Sequence, residues 1–223
     1  METHLRRYDL VWISDSAWDS LIAQQDDPAV ADCLATWRLR RLPLVVTRQR
    51  SPGPWLAVGL PAPLAWARRR IALHVNRCEV LCYGRFPRVQ EVLQLLPPAR
   101  RDDWRALCSS LADCDVEARV HGSFGWHSMT SLPYLTAQSD IDLLLPVQDV
   151  DIADAVAKQL DALNWECPRL DGELIFPNGH AVSWREWLQW RKGGADQILV
   201  KQLHTVTLES GLQWTASPSS APA

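Results

Sequence analysis

Residues 139–146 read SDIDLLLP, in which two aspartates begin an apolar run that a proline ends. Alternate residues of a β-strand point to the same face of a sheet, so Asp140 and Asp142 are predicted to present two carboxylates side by side. Two adjacent anions repel each other, and a folded protein rarely keeps them together without a cation between them. Because oxygen ligands with room for phosphate oxygens and water suit Mg²⁺, these aspartates are candidate magnesium ligands.

A glycine-bounded segment lies upstream of the aspartates. Residues 122–126 read GSFGW and follow a stretch, 116–121, that is predicted to be a strand. We predict a turn over 122–126, in which glycines let the backbone approach a ligand and the amides near Gly122 and Ser123 cradle a phosphate. An isolated D-x-D is more often a solvated strand edge, but this turn and the buried leucines favour a catalytic site. Residues 122–142 are therefore predicted to form a metal-dependent nucleotidyltransferase-type site that attacks a phosphoanhydride.

A third carboxylate commonly completes such a site. Asp171 and Glu173 alternate along a predicted strand, 171–176, and therefore share one face. Glu173 is favoured because its position is closer to the strand interior, which gives Asp140, Asp142 and Glu173 as the predicted catalytic metal ligands. Glu186 is a weaker choice, and an exposed hairpin acid is the alternative interpretation of Glu173.

Two cations are candidates for binding the phosphates of the substrate. Arg185 follows the second strand of the hairpin that carries Glu173, and Lys201 ends a later predicted strand. Either could neutralise a leaving diphosphate. The three arginines at 68–70 are more often a solvated face, and His121 either positions the substrate or packs beside the site.

The order of predicted elements indicates an α+β fold. Apolar alternation and helical periodicity predict a nucleotidyltransferase-like mixed β-sheet with flanking helices over 86–216, including an amphipathic helix over 150–163. A smaller α+β N-terminal domain is predicted over 1–85, with a hairpin around the Ser-Pro-Gly-Pro turn at 51–54. This domain is expected to recognise the carrier or the cofactor. The tail, 217–223, is predicted to be disordered.

Composition excludes several classes of protein. The net charge of −3 gives no reason to expect binding to nucleic acid or to an anionic membrane. No apolar run approaches the roughly 18 residues that span a membrane, and the polar N-terminus is not that of a signal peptide. The six cysteines lack C-x-x-C spacing and are expected to be reduced thiols in the cytoplasm. Most of the 12 tryptophans are expected to lie in the core.

Several stretches resemble a known family, the malonate decarboxylase holo-acyl-carrier-protein synthases, also called phosphoribosyl-dephospho-CoA transferases, of the nucleotidyltransferase superfamily. The matching stretches are GSFGW at 122–126, YLT at 134–136, SDIDLL at 139–144, DGEL at 171–174 and VSWRE at 182–186. Residues 7–12 and 43–46 are similar to the family's N-terminal region. The chain departs from the family at Tyr8, where a His is common, and at His127, where a Gln is expected.

The resemblance implies a specific reaction. The enzyme would attach the phosphoribosyl-dephospho-CoA part of 2′-(5″-triphosphoribosyl)-3′-dephospho-CoA to a serine of the malonate decarboxylase acyl carrier protein, with release of diphosphate. This is nucleotidyl transfer to a hydroxyl, which agrees with the predicted carboxylate site. The alternative is a nucleotidyltransferase that moves AMP from ATP to a small molecule or a protein.

Overall fold

The computed structural model describes residues 5–50 and 52–215 and divides the chain into two compact units. The first unit contains the chain up to Phe86, together with Thr130–Tyr134 and Leu203–Thr205, and the second contains the remainder. Each unit has a β-sheet and helices, so the predicted α+β fold with two domains is confirmed. The predicted disordered tail, 217–223, lies outside the described residues.

The first unit is built on an antiparallel sheet with the strand order β4-β3-β2-β1-β5. Ser14 caps the first helix, and Asp27 caps the second, which has Pro28 in its first turn. The predicted hairpin around 51–54 is confirmed by the pairing of β2 with β3. Its elements are β1 (Leu10–Ile13), α1 (Asp15–Ala23), α2 (Pro28–Leu39), β2 (Leu44–Val46), β3 (Trp55–Pro61), β4 (Arg70–Asn76) and β5 (Val80–Gly84), with 3₁₀ turns at Leu64–Trp66 and Arg77–Glu79.

The second unit is built on a mixed sheet with the order β11-β10-β9-β8-β7-β6, in which only the β7–β8 pair is parallel. The 14-residue helix α5 makes the crossover between these two strands. Its elements are α3 (Arg101–Asp113), β6 (Arg119–His121), α4 (Gly122–Thr130), β7 (Ile141–Pro146), α5 (Val150–Leu163), β8 (Leu170–Ile175), β9 (Ala181–Ser183), α6 (Trp184–Arg191), β10 (Ile198–Lys201) and β11 (Val206–Glu209), with 3₁₀ segments at Val89–Leu95, Pro98–Arg100 and Gln213–Thr215.

Tryptophans fill much of the core of the second unit. Trp104, Trp184 and Trp187 are almost fully buried, as predicted for most of the tryptophans. The indole nitrogen of Trp104 donates to the carbonyl of Val89 at 2.8 Å, and that of Trp187 donates to Asp154 at 2.8 Å. These hydrogen bonds let the rings of Trp104 and Trp187 be buried with their N–H groups paired, whereas the buried indole nitrogen of Trp184 has no hydrogen-bond partner among the described residues.

The predicted turn over 122–126 is wrong, because these residues form the first part of α4. Phe124 and Trp126 are 5% and 3% exposed, so their burial outweighs the weak helix propensity of the glycines. The predicted strand over 140–145 begins one residue later, at Ile141. Asp140 therefore stands at the end of the preceding turn, which is closed by a hydrogen bond from the amide of Thr136 to the hydroxyl of Ser139 at 2.9 Å.

The six cysteines are all unpaired, as expected for reduced thiols. In the part of the chain that the structure describes, no helix combines the length and the apolar character that a membrane span requires. The cytoplasmic location stays a prediction.

Candidate active site

One face of the second sheet carries a row of polar side chains. Strand register places His121 opposite Asp142 and Asp142 opposite Asp171. Directly opposed residues on neighbouring strands share a face, and Glu173 follows Asp171 at the spacing that returns to the same face. Further along, Glu173 lies opposite Ser183. The structure thus places the acids of β7 and β8 on a single surface of the sheet.

Gly122 makes room for the carboxylate of Asp142. The glycine has φ +59°, and a Cβ atom built on it would lie 1.9 Å from Oδ2 and 2.8 Å from Cγ of Asp142. Since α4 begins at Gly122, the carboxylate lies at the positive end of a helix, which offsets only part of the unfavourable effect of burial on its negative charge. The glycine at this position is therefore required both by the backbone conformation and by the close approach of Asp142.

The environment of Asp142 disfavours its negative charge. Burial raises the pKa of Asp142 to about 6, and the nearby charges of Asp171, Asp140 and Glu173 act in the same direction, while Arg169 opposes them. Among the described residues, no lysine or arginine forms an ion pair with Asp142. A cation placed between these acids would remove the repulsion that raises this pKa.

Two arginines neutralise the neighbouring acids. Arg169, immediately before β8, places Nη2 3.0 Å from Oδ2 of Asp140 and 2.5 Å from Oδ2 of Asp171. Arg185 donates from Nε to Oδ1 of Asp171 at 3.1 Å and from Nη2 to the carbonyl of Leu170 at 3.0 Å. Sequence reasoning found Arg185 and missed Arg169, which lies two residues before Asp171 and therefore just outside the predicted strand 171–176.

The predicted residues Glu173 and Lys201 contact each other. Nζ of Lys201 lies 2.6 Å from Oε1 of Glu173, whose side chain is only 7% exposed. A buried carboxylate paired with an ammonium group forms a charge-neutral unit, here at the buried end of the row of polar side chains. The structure thus puts Asp171 directly opposite Asp142 and holds Glu173, two residues further along β8, in an ion pair with β10.

The remaining candidates lie at the edges of this site or outside it. Ser123 is in the first turn of α4 and is partly exposed, and Glu186 is exposed in the first turn of α6. In the first unit, Arg69 forms an ion pair with Asp27, and the guanidinium of Arg68 lies 3.5 Å from the carbonyl of Tyr134. The triple arginine is therefore partly engaged within its own unit.

The donor set suits a magnesium ion that shares its coordination with substrate. Within residues 5–50 and 52–215, no group of three or more His, Cys, Asp or Glu side chains is gathered closely enough to hold a metal ion. Mg²⁺ is commonly bound by one or two carboxylates, with phosphate oxygens and water as its other ligands. Asp140 and Asp142 are the candidate pair of oxygen ligands. Burial raises the pKa of Asp142, the charges of Asp171 and Asp140 add to this effect, and a bound cation would relieve their repulsion.

The site has the features from which a nucleotidyltransferase-type enzyme is predicted. Strand β6 enters α4 at Gly122, Asp140 immediately precedes β7, and Asp142 is the second residue of that strand. Comparison with known families identifies the family of the chain. The phosphoribosyl-dephospho-CoA transferase MdcG N-terminal domain family matches residues 6–85, and the corresponding C-terminal domain family matches residues 88–211.

Curated relatives carry the same name. A phosphoribosyl-dephospho-CoA transferase from Bradyrhizobium diazoefficiens is 36% identical over 208 residues, which cover 91% of this chain and 88% of that protein. One from Xanthomonas campestris pv. campestris is 33% identical over 202 residues, with coverage of 88% and 90%. No solved structure matches the chain. The chain belongs to the phosphoribosyl-dephospho-CoA transferase family, as its motifs predicted, and it is a transferase.

Proposed function

We propose that the protein transfers the phosphoribosyl-dephospho-CoA group of 2′-(5″-triphosphoribosyl)-3′-dephospho-CoA to a serine of the malonate decarboxylase acyl carrier protein. Membership of the phosphoribosyl-dephospho-CoA transferase family supports the choice of donor, and the cluster of carboxylates supports transfer at a phosphate. The observation that carries the proposal is the carboxylate of Asp142, which lies against Gly122 at the start of α4 beside two further acids.

The reaction exchanges one phosphorus–oxygen bond for another. The serine hydroxyl oxygen bonds to the phosphorus next to the ribose, the bond from that phosphorus to the diphosphate breaks, and the hydroxyl proton is released. The products are a phosphodiester on the carrier and free diphosphate. Because the leaving group and the reacting phosphate are anionic, positioning and charge neutralisation supply most of the catalysis.

The residues of this chain divide these tasks. Asp140 and Asp142 would hold Mg²⁺, which when bound neutralises charge on the phosphates. Gly122 keeps the carboxylate of Asp142 in place, and the amide and hydroxyl of Ser123 are available to a phosphate at the start of α4. Arg185 is fixed beside the acids by its bonds to Asp171 and the Leu170 carbonyl, where it can also meet phosphate oxygens.

The third carboxylate is assigned by comparing Asp171 with Glu173. Asp171 lies opposite Asp142, and its charge raises the pKa of Asp142 more than that of any other acid. Glu173 is buried in its pair with Lys201. We propose Asp171 as the acid that completes the site, while Glu173 and Lys201 support the sheet beneath it.

The direct test is the mass of the carrier protein. Purified apo carrier is incubated with the enzyme, Mg²⁺ and the triphosphoribosyl donor, and its intact mass is measured. We expect one phosphoribosyl-dephospho-CoA adduct with wild-type enzyme and none with Asp140→Asn or Asp142→Asn. Asp161→Asn is a matched control, because Asp161 is an exposed acid of α5 that pairs with Lys192 at 3.5 Å.

The same assay addresses the alternative donor. With ATP in place of the triphosphoribosyl compound, the proposal predicts no change in the mass of the carrier. An AMP adduct formed from ATP, with no transfer from the triphosphoribosyl donor, would contradict the proposed function and establish the adenylyl transfer instead.

A further inference from the structure

Arg169 is the cation that bridges the acids at the proposed metal site. One nitrogen, Nη2, contacts both Asp140, at 3.0 Å, and Asp171, at 2.5 Å. Both acids also act electrostatically on Asp142, so one guanidinium compensates a group of three repelling carboxylates. Without it or another cation, these carboxylates would destabilise the folded state.

The backbone of Arg169 is fixed, but its side chain is not enclosed. The carbonyl of Arg169 accepts a hydrogen bond from the amide of Ile141 at 2.9 Å, which holds its backbone beside the start of β7. Its side chain is 52% exposed. A long, half-exposed side chain on an anchored backbone can move its charged end by several ångströms through rotamer changes alone.

Arg185, whose side chain is 44% exposed, is held by more contacts than Arg169. Its guanidinium bonds both to Asp171 and to the carbonyl of Leu170, and it stacks over the ring of Trp184 at 4.2 Å from the centroid. Backbone, carboxylate and aromatic contacts therefore hold this arginine in one position. Arg169 has carboxylates as its side-chain partners, and these are the groups that a metal ion would take over.

A metal ion and Arg169 compete for the same acid. Mg²⁺ bound to Asp140 would bring two positive charges next to a guanidinium that already donates to that carboxylate. Like charges at this separation repel strongly in a partly buried site. Phosphate oxygens, which arrive with the substrate, offer the displaced guanidinium a charge-assisted bidentate partner.

We propose that Arg169 is an exchangeable counter-ion of the active site. It neutralises Asp140 and Asp171 before metal binds, and it moves to the phosphates of the substrate when Mg²⁺ takes its place. This inference rests on the proposed function, because it assumes a metal at Asp140 and Asp142. If the inference is correct, Arg169 has opposite effects on the two ligands: it weakens the binding of metal and strengthens the binding of phosphate.

The first experiment measures metal binding without substrate. Binding of Mn²⁺, which has a similar preference for oxygen ligands, is titrated by electron paramagnetic resonance on metal-free enzyme. We expect Arg169→Gln to bind Mn²⁺ about tenfold more tightly than wild type, the effect of removing one competing charge from a partly exposed site. Arg169→Lys keeps the charge but loses the planar fork of the guanidinium, so its affinity for Mn²⁺ should lie between those of wild type and Arg169→Gln. The lysine variant also provides the test if Arg169→Gln does not fold.

Arg191→Gln is the control for the change in net charge. Arg191 belongs to the same unit and pairs with Asp154 at 2.8 Å, on α5 rather than at the acid cluster. Its loss should leave the affinity for Mn²⁺ unchanged. A general effect of net charge would instead shift Arg191→Gln and Arg169→Gln equally, and that result would overturn the inference.

The second experiment uses inorganic diphosphate as the probe. At saturating Mg²⁺, calorimetry should show that Arg169→Gln binds diphosphate about tenfold more weakly than wild type, because a charge-assisted contact is lost. If Arg169 had a merely structural role, Arg169→Gln would bind both Mn²⁺ and diphosphate more weakly than wild type. Weaker or unchanged Mn²⁺ binding in both Arg169 variants, or no Mn²⁺ binding by any of the proteins, would overturn the inference.

These outcomes are separable from those of the carrier assay. If the carrier is not modified but Arg169→Gln still binds Mn²⁺ more tightly and diphosphate more weakly, the counter-ion role stands and the proposed acceptor fails. If the carrier is modified while metal affinity is insensitive to Arg169, the function stands and the counter-ion role fails.

Discussion

The substitution Gly122→Ala tests the arrangement of the site most directly. Alanine would place a methyl group 1.9 Å from Oδ2, 2.8 Å from Cγ and 3.1 Å from Cβ of Asp142. The first two distances are far too short for a real contact, so the carboxylate must move away, whereas the contact with Cβ requires a shift of only a few tenths of an ångström. The mutation therefore displaces a proposed metal ligand without changing any charged group.

The cost to the fold should be modest. A left-handed backbone conformation costs a non-glycine residue roughly 1–2 kcal/mol. For a protein of this size, each kcal/mol lowers Tm by about 2–4 °C. Because the atoms that clash most are the carboxylate atoms of Asp142, rotation of that group can relieve the clash. The clash should therefore misplace the carboxylate more than it lowers the free energy of unfolding. Loss of one positioned group that stabilises a transition state lowers kcat by roughly 100-fold or more.

Gly193→Ala is the matched control. Gly193 has φ +74°, close to that of Gly122, but nothing lies within 4 Å of a Cβ atom built on it. Both variants should lose similar thermal stability, measured by calorimetry, because both incur the backbone strain. Only Gly122→Ala should lose transfer activity, measured as the rate at which the carrier gains mass.

One result would refute this reasoning. If Gly122→Ala kept more than about a tenth of the wild-type rate at saturating Mg²⁺, the position of Asp142 would not be critical to the chemistry. Equal losses of activity in Gly122→Ala and Gly193→Ala would show that strain alone is responsible.

Three further predictions concern the acids. Because Asp142 must be deprotonated to bind metal and its pKa is raised to about 6, Mn²⁺ affinity should fall as the pH drops below about 6, and a pH-independent affinity would contradict this assignment. Asp171→Asn should lower the transfer rate at unchanged Tm, whereas Glu173→Gln should mainly lower Tm by breaking a buried ion pair. The reverse pattern would make Glu173 the third metal ligand, which is the assignment that the sequence alone favoured. Burial acts to raise the pKa of Asp154, but hydrogen bonds from Arg191 and Trp187 lower it below its ordinary value. The ionised carboxylate therefore stabilises the folded state above pH 3.8, and this contribution is lost as the pH falls through the lowered pKa. In denaturant unfolding at pH 7, Asp154→Asn should accordingly lose about 1.5–3 kcal/mol, and this loss should shrink as the pH is lowered below 3.8; a loss that does not change with pH would contradict the charge-based account.

Local pattern was sufficient for most of the elements. The periodicity of 150–163 predicted α5 with its observed bounds. It failed at 122–126, where two glycines suggested a turn and burial of Phe124 and Trp126 produced a helix. The error has a physical cause, since propensity is worth about 1 kcal/mol per glycine and burial of a large aromatic side chain is worth more.

The site shows the same division between local and distant information. Alternation within one strand placed Asp171 and Glu173 on a common face, but it could not say which of them lies beside Asp142. That choice depends on the parallel register of β7 with β8, which joins two strands that are distant in sequence. Interior position along the strand, the criterion that favoured Glu173, carries no information about which acid lies opposite Asp142.

The sequence by itself was sufficient to predict the α+β class, to name Asp140 and Asp142 as candidates, and to recognise the transferase family, because local patterns and motifs carry this information. Only the tertiary structure decided that Gly122 makes room for Asp142, that Lys201 neutralises Glu173, and that Arg169 joins two acids. Each of these pairs joins different elements, and their contact follows from packing and register that no local pattern encodes.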